Sequence, residues 1–124
     1  MEHELSGMYP QIAHGAGLSA LWPSWARYVC SNDVSRFARY GVNVWNIDMD
    51  FGNPMNTALA GIQATEDFYK SLGMPVTLKE LGVERDRIEE MAEKCTNMGQ
   101  RKLSGIVELG REEIIEIYGM AMGE

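Results

Sequence analysis

His3 and His14 are the only imidazoles in 124 residues, and both fall within the first 14 positions. A neutral imidazole is the commonest side-chain ligand for a divalent transition metal, and its titration near neutrality also suits it to moving a proton. Gly15 and Gly17 follow His14. They leave little bulk on its C-terminal side, which gives a cofactor or substrate room to approach the backbone. A tight metal site needs three or four ligands. Two imidazoles do not complete one, so Glu4 or Asp48 would have to converge on them if the chain bound metal by itself.

Other familiar chemistries are excluded by spacing. His3-Glu4-Leu5-Ser6-Gly7 has glycine where the second histidine of a zinc-protease HExxH motif must stand. Gly15-Ala16-Gly17 lacks the third glycine and the preceding strand of a dinucleotide fingerprint. No GxSxG nucleophile elbow and no lysine-bearing phosphate loop occur. Asp48 and Asp50 lie in a Gly/Asn/Pro-rich stretch, where aspartates form turns.

The elements that must position these residues read as helices. Leu18, Leu21, Trp22 and Trp25 form an i, i+3, i+4, i+7 stripe, which Pro23 should split into two short helices meeting at Trp22. Val34, Phe37, Ala38, Gly41 and Trp45 make a second stripe, capped from Ser31, Asn32 or Asp33. Ile47 to Pro54 reads as a loop. The longest helix should run from Pro54 to Leu72, with Leu59, Ile62, Tyr69 and Leu72 on its apolar face and Gly73 as its stop. Thr77 and Glu80 have capping-box spacing before Gly82, Ile88 to Cys95 repeats the apolar pattern, and Ile114 to Met122 marks a last helix. Val42 to Trp45 alternates like a strand but stays in helical phase with Val34. The fold class is therefore all-α, with five to seven helices in one domain and no internal linker. Trp22, Trp25, Tyr28 and most of the nine methionines are assigned to the core.

Bulk properties narrow the partners. A net charge of −7 argues against capture by nucleic acid or an anionic membrane. No run of apolar residues is long enough to span a bilayer, and no export signal opens the chain. Cys30 and Cys95 are too few for a disulfide framework and read as thiols of a cytoplasmic protein.

Four segments in order, EHELSGMYPQIAHGAGLSALWPSWARYV, RFARYGVNVWNID, GIQATEDFYKSLGMPVTLKELGV and GREEIIEIYGMA, resemble the C-terminal half of the iron-containing alcohol dehydrogenases, nearest the butanol-dehydrogenase-like members. The combination of HEL, HGxGL and a following proline with FxxSLGxPxTLxELG downstream is specific, and it covers essentially the whole chain. The resemblance implies the helical domain of a dehydroquinate synthase-like architecture. Its partner is an N-terminal α/β domain for NAD or NADP, and one Fe2+ or Zn2+ lies between the two.

On this resemblance His14 is a metal ligand, and His3 lines the reaction cleft as a catalytic residue without ligating. It also implies an aspartate and a histidine well upstream, and another histidine four residues before His3. All three fall outside these 124 residues, as would the nucleotide domain. The histidines would then crowd the start because the chain begins inside the metal-binding segment. His3 and His14 are one residue further apart than in many members, with Pro10-Gln11 in the turn. The implied substrates are small primary alcohols or aldehydes. The 124 residues alone should be inactive and should retain no cofactor, and an exposed helical face should favour a homo-oligomer. The competing reading is a free-standing helical interaction module.

Overall fold

The computed structural model describes residues 1–123, which form six α-helices joined by turns. These are α1 (Glu2–Met8), α2 (His14–Val29), α3 (Val34–Trp45), α4 (Pro54–Ser71), α5 (Ile88–Cys95) and α6 (Arg111–Ala121). Single 3-10 turns lie at Cys30–Asn32, Lys79–Leu81 and Arg85–Arg87. Among the described residues there is no strand, only an isolated antiparallel bridge between Leu103 and Leu109. The all-α reading therefore holds, and Val42 to Trp45 is helical.

α2 is the central element and packs against α1, α4 and α6; α3 pairs with α4, and α5 with α6. Local signals set most boundaries. Asp33 accepts the Arg36 amide at the start of α3. At its end, Asn46 is left-handed (φ 56°), and the amides of Asn46 and Ile47 close onto the carbonyls of Val42 and Gly41. Thr77 accepts the Glu80 amide at 3.2 Å, and Gly82 ends that turn at φ 79°.

Two expectations fail for reasons of packing. α2 runs through Pro23 unbroken. A proline inside a helix costs about 3 kcal/mol, but Pro23 is fully buried in a helix flanked by three others, and tertiary packing outweighs the local penalty. On α4 the buried face is Thr57, Ala58, Gly61, Ile62 and Thr65, while Leu59 and Leu72 are exposed. Small residues win because α3 and α4 touch backbone to backbone: a Cβ on Gly61 would lie 2.8 Å from the Gly41 Cα. The seam is tied by a hydrogen bond between Tyr40 and Thr65, and by the Trp45 indole donating to Thr65 Oγ1 at 2.9 Å.

This contact yields a paired prediction. Gly61→Ala gains about 1 kcal/mol of helix propensity but forces two backbones apart, an overpacking penalty of about 1–3 kcal/mol, so the net effect is a loss. Gly119→Ala, in α6 with open space around it, should be stabilising by about 0.5–1 kcal/mol. Urea unfolding of the two variants should move their midpoints in opposite directions. Two shifts of the same sign would refute the close approach of α3 and α4.

Candidate metal centre

The site is built from α1 and the first turn of α2. Glu2 and Glu4 occupy the first turn of α1, where acidic groups complement the helix dipole, and the fully buried Leu5 anchors that helix. The chain then reverses: the Tyr9 amide bonds the Leu5 carbonyl, the Ile12 amide bonds the Tyr9 carbonyl, and buried Ile12 anchors the turn. The Tyr9 hydroxyl accepts the Glu84 amide at 3.3 Å, which fastens the turn to the loop ahead of α5. Ala13 is extended, and His14 is the first residue of α2.

This geometry brings together Glu2, His3 and His14, whose potential ligand atoms all lie within 4.8 Å of one another. The rings of His3 and His14 sit edge to face, 5.7 Å apart. Both imidazoles are exposed, with the His14 side chain 58% accessible, whereas the Glu2 side chain is 4% accessible. The Glu2 carboxylate meets His14 Nδ1 with one oxygen and accepts the Ser6 hydroxyl with the other. Neither Glu4 nor Asp48 joins this cluster.

Glu2 is the member that sequence reasoning missed. Its traces were Ser6 one helical turn away and the glycine at position 17. The space expected beside His14 exists in two forms. Gly15 faces open space, but at Gly17 the room is taken by Glu2, since a Cβ there would lie 2.5 Å from Glu2 Oε1. Asp50 is a turn former as expected: it accepts the Asn56 side-chain amide at 3.1 Å and the Asn53 amide at 3.0 Å, and these donors hold its carboxyl below the usual carboxylate value. Cys30 and Cys95 are free and buried, and burial pushes the Cys30 thiol up.

A cavity of about 400 Å³ reaches Glu2 and is walled by Leu18, Leu21, Trp22, Trp25, Ile106 and Val107. Trp22 and Trp25 are thus half-buried wall residues rather than core, and Tyr28 is also half-buried. The stripe that suggested a core face lines this space together with Ile106 and Val107, and only its Leu21 is buried in the core. Of the methionines, Met91 and Met122 are buried, and Met1, Met8, Met49 and Met55 pack against the core.

Two imidazoles and a carboxylate are the donor types that borderline divalent cations such as Fe2+ and Zn2+ accept. The cluster therefore fits part of a transition-metal site, with an apolar space next to it for an organic molecule.

Residues 1–122 match the Fe-containing alcohol dehydrogenase family, C-terminal. The chain is 36% identical over 119 residues to NADH-dependent butanol dehydrogenase A of Clostridium acetobutylicum, covering 95% of this chain and 30% of that protein. It is 37% identical over 120 residues to NADH-dependent butanol dehydrogenase B of the same organism, again covering 30% of that protein. The solved structure of NADH-dependent butanol dehydrogenase A from Thermotoga maritima superposes with a TM-score of 0.84 at 32% identity, over 97% of this chain and 31% of that one. The chain thus spans about a third of the length of such relatives, and it belongs to the iron-containing alcohol dehydrogenase family, as a match to its C-terminal, helical part.

Proposed function

We propose that residues 1–124 are the helical metal- and substrate-binding domain of an enzyme that interconverts primary alcohols and aldehydes by hydride transfer with NAD or NADP. The observation that carries this reading is the convergence of His3, His14 and Glu2 within 4.8 Å, in a chain of this family. His14 is the metal ligand, for Fe2+ or Zn2+. The other ligands and the nucleotide domain that the resemblance implies come from outside these 124 residues. When bound, the ion supplies Lewis-acid polarisation of the substrate oxygen.

The chain's own residues do the rest. His3, exposed beside His14, relays the alcohol proton to solvent. The apolar cavity that touches Glu2 receives the carbon chain, and its tryptophans exclude water from it. Exposed Phe51, Phe68 and Leu72 support association into a homo-oligomer. Among the described residues no helix is long and apolar enough to cross a membrane; the setting proposed for the enzyme is the cytoplasm.

In the protein that joins these residues to a nucleotide-binding half, His3→Ala should lower kcat for butanol oxidation about 100-fold. Its metal content should stay at the wild-type level. Loss of metal in step with activity would make His3 a ligand and overturn the division of roles. The 124 residues alone should show no turnover, because hydride transfer needs nicotinamide and substrate carbon held about 3–3.5 Å apart.

A further inference from the structure

Among the described residues, Glu2 is the one charged side chain in the buried class. A buried carboxylate is unfavourable unless its oxygens are bonded. Three features of the sequence provide for this one group. Ser6, one turn along α1, donates to the first oxygen; His14 Nδ1 faces the second; and the glycine at position 17 vacates the volume that the carboxylate fills.

An ionised carboxylate only accepts hydrogen bonds, so the ring nitrogen facing it carries the proton. In neutral His14 that proton is on Nδ1, and the lone pair is on Nε2, on a ring that is largely open to solvent. In water the side chain of histidine favours the opposite tautomer. Resting on the reading of His14 as a metal ligand, we propose that Glu2 is its positioning residue: the carboxylate locks His14 as the Nδ1–H tautomer and presents Nε2 as the metal donor before any ion arrives. Ligating histidines commonly donate their second nitrogen to a carboxylate, which fixes the ring and raises its basicity. Here the carboxylate comes from a separate helix, 12 residues earlier in sequence.

The test is nitrogen-15 NMR of the 124-residue chain at about pH 9, above the ordinary imidazole value of about 6.5. Long-range proton–nitrogen correlations should show His14 protonated on Nδ1. Glu2→Ala should convert it towards Nε2–H. Gly17→Ala, which keeps the carboxylate but crowds it out of place, should do the same and serves if Glu2→Ala does not fold. In the protein that joins these residues to a nucleotide-binding half, the affinity for Zn2+ should be about 10–100-fold weaker in Glu2→Ala. An Nε2–H imidazole in the unsubstituted chain, or Nδ1–H persisting in both variants, overturns the role of Glu2. Glu2-dependent Nδ1–H together with a metal affinity that His14→Ala leaves unchanged in that longer protein overturns the metal reading instead, so the two failures are told apart.

Discussion

Replacing His14 with alanine in the metal-loaded, nucleotide-binding protein is expected to remove the bound metal and to lower turnover about 1,000-fold or more. The size of the effect follows from the Lewis acid, whose polarisation of the substrate oxygen is worth several kcal/mol, with each 1.4 kcal/mol corresponding to about a factor of ten. A lost ligand removes all of that stabilisation, whereas loss of His3 removes only a proton relay. The fold should survive, because the His14 side chain is 58% accessible and buried Glu2 keeps the Ser6 hydroxyl as a donor. Metal content by atomic emission, turnover with butanol, and far-UV circular dichroism on the same preparation separate these effects. Full metal occupancy and unaltered rate in a folded variant would show that His14 does not bind the ion.

Tyr118 should be the most sensitive core position tied to the site. It is fully buried in α6, and its hydroxyl donates to the Met1 carbonyl at 2.6 Å, fastening the start of α1 to the last helix. Tyr118→Ala should cost about 3–5 kcal/mol through the cavity it leaves, a large part of the roughly 5–15 kcal/mol that holds a domain together. Tyr118→Phe keeps the volume and loses the hydrogen bond, for about 1–3 kcal/mol. Burial, with smaller contributions from the neighbouring Cys95, Glu4 and Glu2, raises the phenol above the ordinary tyrosine value. The folded form therefore holds this proton more tightly than the unfolded form. The resulting stability is fully present below about pH 10 and is lost as pH rises above it, by about 1.4 kcal/mol per pH unit. Tyr118→Phe should flatten that alkaline decline, with the weaker contributions of half-buried Tyr28 and Tyr69 remaining. Urea titrations between about pH 9 and 11 measure the slope; an equal slope in both proteins would contradict the burial of this hydroxyl.

What could be read from the sequence depended on how local its cause was. Asp33, Thr77 and Gly82 act within one turn of their own position, so the helix ends they set follow from residue type and spacing. Pro23 and the Gly41–Gly61 contact depend on what lies across the interface. There a penalty read along the chain is outweighed by packing, and glycines serve where leucines were expected to. Trp22 and Trp25 satisfied the periodicity of a core stripe, but periodicity finds a face and not what stands opposite it.

The site shows the same division. His3 and His14 stood out as the only imidazoles, and the family resemblance separated their roles. Glu2 carried no motif, because its partners are a serine four residues on, a histidine 12 on and an absent side chain at position 17. The absence of a side chain is a signal only once the helices are placed. Its burial identifies it, since a carboxylate enclosed between two short segments must be answered by donors.

The most direct measurement is anomalous diffraction at the metal edge from crystals of the metal-loaded protein. A peak is expected about 2.1 Å from His14 Nε2, with His14 Nδ1 still on the Glu2 carboxylate and His3 beside the ion but beyond bonding distance. A peak bound through His14 Nδ1, or centred on another group of residues with His14 free, would contradict that placement.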